Sequence, residues 1–104
     1  MKIIWSEMAQ HSLDATVEYV QHEFGDVARR KFVETVKHTV TLLCSNPNIG
    51  IVEERLSNAP VEYRSIIVGR LNRIVYFVED NTIQVADFWN MRRSPKTLTD
   101  RLLT

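Results

Sequence analysis

The 104-residue chain contains few of the residue types that several common functional sites require. Its three glycines are Gly25, Gly50 and Gly69, and none of them opens a strand-to-helix turn, so a glycine-rich phosphate-binding loop is excluded. The single cysteine, Cys44, cannot form an internal disulfide and stands in an apolar pattern, which predicts a small buried side chain rather than a nucleophile. No serine stands on a sharp elbow of the kind that a Ser-His-Asp triad uses.

Long apolar runs are also missing. No stretch approaches the roughly 18 apolar residues of a membrane-spanning helix, and the start of the chain lacks the features of a signal peptide. We therefore expect a soluble, cytoplasmic protein with a single domain over residues 1–104. Glu18, His22 and Asp26 stand four residues apart, but the break at Gly25 disrupts this spacing. We expect neither a metal nor a cofactor.

The charge of the chain is balanced overall but unevenly distributed. Thirteen basic and thirteen acidic residues give a formal net charge of zero, unlike the strongly basic composition of an indiscriminate nucleic-acid binder. From Tyr63 onward, seven basic residues stand against four acidic ones, an excess of +3. This pattern favours one basic face suited to phosphates or to an acidic partner segment, unless the charges are merely solvated at strand edges.

Hydrophobic spacing predicts a helical hairpin followed by strands. Apolar residues recur every three or four positions from Glu7 to Phe24, with Ser6 as a cap and Gly25 as the end of the helix. Asp26 is the candidate N-cap of a second helix, which stops before Asn46-Pro47. The remaining apolar runs alternate as strands do, and they cover residues 2–5, 51–56, 62–68, 73–79 and 82–89.

The predicted fold is α+β, with an N-terminal strand, an α-helical hairpin and an antiparallel β-meander of three to four strands. The hairpin should pack on one sheet face, which leaves the other face for function. The run from Ile74 to Val78 is apolar at every position, so the middle of the sheet should be covered on both sides or cupped around a partner. Leu98, Leu102 and Leu103 fit a short closing helix or an extended tail.

Arginines on the predicted sheet are the candidate functional residues. Arg64 and Arg73 lie on neighbouring strands and are expected near each other across the pair, and Arg92 with Arg93 follow the last strand. Converging guanidinium groups bind phosphates or stabilise a phosphoryl transition state.

Two aromatic residues of the same strands allow two interpretations. Tyr76 and Trp89 could stack on nucleic-acid bases, although aromatic residues at alternating strand positions are more often part of the core.

Four segments together resemble the RelE/ParE family of bacterial toxins from type II toxin–antitoxin modules. They are IIWSEMAQHSLDATVEYV, VTLLCSNPNIG, EYRSIIVGRLNRIVYFVEDNTIQV and FWNMRRSPKTL, and they span nearly the whole chain. The resemblance implies one of two activities. RelE-like members cleave messenger RNA on the ribosome by attack of a 2′-hydroxyl on the adjacent phosphate, whereas ParE-like members bind DNA gyrase and are not nucleases.

The RelE pattern carries over to this chain only in part. It implies cationic roles for Arg64, Arg73 and Arg92. The positions of a second basic residue and of a terminal tyrosine or histidine fall at Ile66 and near Leu98, and neither side chain can transfer a proton.

A glutamate acts as the base in some relatives, so Glu53 or Glu54 could take that role, with Tyr76 or Asp87 assisting. We favour a ParE-like, noncatalytic growth inhibitor because the residues at the acid and base positions cannot transfer a proton and the chain has no net positive charge. A ribosome-dependent nuclease is the first alternative, and a nontoxic module that only binds an antitoxin is the second.

The resemblance also implies a partner. A cognate antitoxin would wrap the toxin with its C-terminal segment and form a hetero-oligomer, and the residues expected to contact it are Trp89, Arg92, Arg93 and Lys96.

Overall fold

The computed structural model describes residues 1–90 and Leu102, and it shows two helices and a five-stranded sheet. In chain order the elements are β1 (Lys2–Trp5), α1 (Glu7–Phe24), α2 (Asp26–Ser45), β2 (Ile51–Val52), a short 3₁₀ helix (Glu54–Leu56), β3 (Arg64–Val68), β4 (Asn72–Glu79) and β5 (Thr82–Asn90). The strand order is β1-β5-β4-β3-β2. The predicted α+β fold with an N-terminal strand and a helical hairpin is confirmed.

Local capping explains where the first helix begins and ends. The Ser6 hydroxyl accepts a hydrogen bond of 3.0 Å from the backbone N–H of Ala9, and it donates one of 3.0 Å to the carbonyl oxygen of Ala86 on β5. This serine therefore caps α1 and also ties its start to the sheet. At the other end Gly25 has a φ of +90°, which favours glycine, and its N–H donates to the carbonyl oxygen of Gln21.

Strand β1 is the only parallel strand of the sheet that the described residues form. It pairs with β5, with Ile3 opposite Ile83 and Trp5 opposite Val85, and lies at one edge. β3, β4 and β5 form the predicted antiparallel meander.

The main core lies between the hairpin and one face of the sheet, which we call the helix face. Helix residues Ala9, Val36 and Leu43 meet buried residues of β3, β4 and β5 there, and Phe32 packs edge-to-face on Phe88 with ring centroids 6.2 Å apart. Cys44 is half-buried against this core.

The opposite face of the sheet, which we call the open face, is partly covered by the chain itself. Leu56, Val75 and Trp89 form a second buried cluster, with Tyr63 and Leu102 packed against it. The predicted coverage of the middle of the sheet on both sides is thus found at Ile74 to Tyr76, whereas Val78 is 42% exposed.

The predicted strand over residues 51–56 is too long. Only Ile51–Val52 pair with β3, and the chain then turns over the open face because Leu56 donates its N–H to the carbonyl oxygen of Glu53. The predicted strand over 62–68 likewise begins only at Arg64.

Of the predicted closing segment, the structure places Leu102 in a helical conformation, and Leu98 and Leu103 lie outside the described residues. In the described part of the chain, the helices are too short or too polar to cross a membrane.

Candidate functional site

The two arginines expected to converge lie on opposite faces of the sheet. Arg64 is paired with Tyr76 in the β3–β4 ladder, whereas Arg73 is paired with Ile67. Residues directly opposite each other share a face and successive residues alternate, so Arg64 belongs to the helix face and Arg73 to the open face. The predicted proximity of the two guanidinium groups is therefore wrong.

Arg64 is held by the loop that leads into β2. Its Nη1 donates to the carbonyl oxygen of Gly50 at 2.9 Å and to that of Asn48 at 3.4 Å, and its Nη2 lies 3.2 Å from Glu62 Oε1. These bonds use the guanidinium to fix a loop, which is a structural role.

Tyr76 completes the same arrangement from inside the core. Its buried hydroxyl donates to the carbonyl oxygen of Pro47 at 2.7 Å and accepts from the N–H of Gly50 at 3.0 Å. Burial raises the pKa of Tyr76, an effect that the Gly50 hydrogen bond and the charge of Arg64 partly offset. The ring is therefore a core residue and cannot stack on a base.

On the open face, Arg73 belongs to a compact polar network. Its Nη1 lies 2.8 Å from Glu53 Oε1, and the same carboxylate oxygen accepts a hydrogen bond of 2.6 Å from Ser65 Oγ. The side chain of Glu53 is only 10% exposed and that of Arg73 is 21% exposed. A carboxylate so withdrawn from water requires both donors to offset its lost hydration.

This network lies in a groove at the β2 edge of the sheet, which we call the edge groove. Its volume is about 600 Å³, and exposed aliphatic side chains surround the polar network. The aliphatic residues are Ile49, Ile51, Val52 and Ile67, and Glu54 and Arg55 also line the groove. The groove therefore contains an ion pair of Glu53 and Arg73 whose charges cancel, bordered by apolar side chains.

Sequence reasoning missed Ser65 and the aliphatic border of this groove. The alternation of β3 was the available signal, because it places Ser65 and Ile67 on the face that Arg64 does not share.

Other candidate residues lie away from the edge groove. Asp87 is fully buried, and the hydroxyl of Ser12 on α1 donates to its Oδ1 at 3.5 Å. Trp89 is 1% exposed and packs in the open-face cluster, so it is not an accessible contact for a partner. Arg92, Arg93 and Lys96 lie outside the described residues. Within 1–90 and Leu102, no three histidine, cysteine or acidic side chains are grouped as metal ligands would be.

The fold is similar to that of solved structures from toxin–antitoxin systems. A structure of the chromosomal ParDE TA system from P. aeruginosa is similar over 86% of this chain and 95% of that chain, with 23% identity and a TM-score of 0.68. Two structures of the YoeB–YefM toxin–antitoxin complex from Staphylococcus aureus each match 85% of this chain and 93% of theirs. They have identities of 25% and 24%, and TM-scores of 0.55 and 0.53. No curated protein matches the sequence.

The sequence itself carries the assignment to a family. Residues 3–95 match the family described as ParE toxin of type II toxin-antitoxin system, parDE. The chain belongs to this family of ParE toxins.

Proposed function

We propose that this chain is a growth-inhibiting toxin that a cognate antitoxin neutralises in the cytoplasm, and that it acts by binding a replication target such as DNA gyrase rather than by cleaving RNA. The observation that carries the proposal is the placement of Arg64 and Arg73 on opposite faces of the sheet. Membership of the ParE family supports the same conclusion.

The chemistry of RNA cleavage explains why this placement matters. Attack by a 2′-hydroxyl needs a base, an acid and cations that stabilise the charged phosphorane, all within reach of one phosphate. Arg64 is bound to backbone oxygens on the helix face, and Glu53 already neutralises Arg73. Within the described residues, no histidine or lysine lines the edge groove. The described part of the groove therefore lacks the histidine or lysine that could act as the acid, and its one arginine outside an ion pair among the described residues is the exposed Arg55.

One observation favours the nuclease as the second candidate. Glu53 is a nearly buried carboxylate fixed by Ser65 and Arg73 inside a groove, and a positioned carboxylate beside a cation is a plausible general base. In that case the further cation would be Arg55, which lines the groove, or Arg92, which lies outside the described residues.

Controlled expression of the chain in a bacterial host separates these candidates. Primer extension on transcripts and measurement of plasmid supercoiling are carried out on the same cells, with the native chain and with Glu53→Gln. The matched control is Glu54→Gln, because Glu54 lines the same groove but is exposed.

We expect both variants to inhibit growth and alter supercoiling as the native chain does, with transcripts intact. Codon-phased cuts that disappear in Glu53→Gln and persist in Glu54→Gln would instead establish the nuclease. Harmless expression of the native chain would refute the proposed toxicity and favour a module that only binds an antitoxin.

A further inference from the structure

A second cavity lies on the helix face, at the end of the hairpin, and we call it the tip pocket. It is formed by the C-terminal half of α1, by Phe32 of α2 and by the turn that joins β3 to β4, and it shares no lining residue with the edge groove. Its volume is about 220 Å³. A cavity of about 150 Å³ holds benzene, whereas pockets for drug-sized ligands measure about 300–1,000 Å³. The tip pocket is therefore the size of one or two fused rings.

Exposed aromatic side chains line this pocket. The rings of Tyr19 and Phe24 lie edge-to-face with centroids 6.4 Å apart, and their exposed fractions are 53% and 67%. Leu71 in the turn is 41% exposed. The inner lining is Phe32 and Val68, which belong to the main core. A planar ring that enters the pocket covers apolar area on both the exposed and the inner side chains.

The pocket also contains a buried side chain with an unused hydrogen-bonding group. Asn72 is paired with Val68 in the β3–β4 ladder, so the two side chains share the helix face. Asn72 is only 8% exposed, and its Oδ1 is shielded from water without a hydrogen-bond partner among the described residues. A buried carbonyl oxygen without a donor is unfavourable, so an N–H or O–H group of a ligand supplies a bond that the chain itself does not. The amide turns toward the cavity to accept it.

The charge of the tip pocket favours an anion. Among the described residues, Arg70 is the only charged one that lines the pocket, and its side chain is exposed. No carboxylate of residues 1–90 lies within 4.0 Å of its guanidinium group. A carboxylate on the ligand therefore pairs with Arg70 without displacing an existing partner.

We infer that the tip pocket binds a small aromatic acid, which is a planar ligand of one or two rings with an N–H or O–H donor and a carboxylate. The ring packs against Tyr19 and Phe24, the donor bonds to Asn72 Oδ1, and the carboxylate pairs with Arg70. The inference does not depend on the proposed function, because no residue of the edge groove takes part.

The sheet geometry favours a free small molecule over the end of a peptide chain. β4 is the central strand of the five, and Asn72 is paired on both sides, with Val68 of β3 and with Asn90 of β5. The sheet therefore has no free strand edge beside Asn72 with which an extended peptide could pair.

The test uses three ligands of nearly the same shape. Indole-3-carboxylate has the ring, the N–H group and the charge, benzothiophene-3-carboxylate lacks the N–H group, and indole-3-carboxamide lacks the charge. Binding to the full chain is measured by isothermal titration calorimetry for the native protein, Arg70→Gln, Asn72→Leu and the control Arg55→Gln. The control removes the charge of another exposed arginine, which lines the edge groove instead. Circular dichroism verifies folding, and the side-chain amide signal of Asn72 in nuclear magnetic resonance spectra locates the ligand.

We expect indole-3-carboxylate to bind the native chain with a Kd on the order of 0.1 mM, an ordinary affinity for a ligand of about twelve non-hydrogen atoms. Loss of the N–H group should weaken binding about fivefold, and loss of the charge about three- to fivefold. Arg70→Gln should abolish the preference for the carboxylate over the carboxamide. Asn72→Leu should abolish the preference for indole over benzothiophene, and Arg55→Gln should keep both preferences. Arg70 is exposed, so its variant decides the inference even if Asn72→Leu does not fold.

Several results would overturn the inference. They are a Kd above about 2 mM for indole-3-carboxylate, equal binding of the three ligands, an equal loss in Arg70→Gln and Arg55→Gln, or an Asn72 signal that the ligand does not shift. The peptide Gly-Gly-Trp separates a free acid from a chain end that carries the same ring, N–H group and carboxylate. If it bound more than about threefold tighter than indole-3-carboxylate, the pocket would belong to the end of a protein chain.

Discussion

Removing Arg73 should leave the Glu53 carboxylate inadequately compensated. The two groups are 2.8 Å apart, and their side chains are 21% and 10% exposed, which places the pair between a surface ion pair and a fully buried one. Surface pairs contribute about 0–1 kcal/mol, whereas breaking a buried pair costs about 3–5 kcal/mol. We therefore expect Arg73→Met to lower the free energy of unfolding by about 2–3 kcal/mol.

A double-mutant cycle measures the interaction itself. Urea unfolding is followed by tryptophan fluorescence for Arg73→Met, Glu53→Gln and the double variant. Glu53→Gln should cost about 1 kcal/mol, because the amide keeps an acceptor for Ser65, and the double variant should be about 1–2 kcal/mol more stable than the sum of the single effects predicts.

The matched control for this cycle is the pair of Arg64 and Glu62. Their separation is 3.2 Å, but the glutamate side chain is 64% exposed, so the coupling should stay below about 0.5 kcal/mol. Additive effects at Glu53 and Arg73, within about 0.5 kcal/mol, would refute the claim that this pair organises the edge groove.

Further predictions concern the Gly50 loop, a turn and a helix cap. Gly50→Ala should lower the free energy of unfolding, measured in urea, by about 1–3 kcal/mol. The added Cβ would lie 2.6 Å from Tyr76 Oη and 2.9 Å from the carbonyl oxygen of Ser65. Gly69→Ala should lower the free energy of unfolding by only about 1–2 kcal/mol. The φ of +63° is strained for alanine, but no atom lies within 4 Å of the added Cβ. Tyr76→Phe should cost about 1–3 kcal/mol at neutral pH through two lost hydrogen bonds. Burial raises the pKa of Tyr76 above its ordinary value of 10.0, so its hydroxyl contributes fully to the free energy of unfolding below pH 10. That contribution is lost as the pH rises through the raised pKa. The native chain should therefore lose stability more steeply at alkaline pH than Tyr76→Phe does. Ser6→Ala should lower the thermal midpoint through a loss of about 1–2 kcal/mol, and an unchanged midpoint would exclude the capping role.

The helical hairpin could be predicted because its signals are local. The apolar period, the cap at Ser6 and the break at Gly25 are all readable within a few residues, and the observed bounds of α1 coincide with the predicted ones. The position of β1 depends on its pairing with β5, whose residues lie 80 positions further along the chain, and no local pattern specifies that pairing. The sequence therefore predicted that β1 exists but not which strand it joins.

A single residue in one turn explains why Arg64 and Arg73 were expected on the same face of the sheet. The sequence pattern leaves four residues, 69–72, between the two predicted strands, which would pair Val68 with Arg73 and put Arg64 and Arg73 on the same face. In the structure Asn72 belongs to β4 and pairs with Val68, so the turn has three residues and Arg73 pairs with Ile67. That shift of one residue moves Arg73 to the open face, where Glu53 neutralises it.

The distribution of charge in the structure changes which surface is suited to an acidic partner. Residues 63–90 contain three arginines and three acidic residues, so the excess of +3 in the C-terminal part of the sequence belongs to residues 91–104. Both sheet arginines expected to bind phosphate are instead bound to oxygen atoms of the chain itself. Because both guanidinium groups are already compensated within the chain, neither is free to pair with an acidic partner.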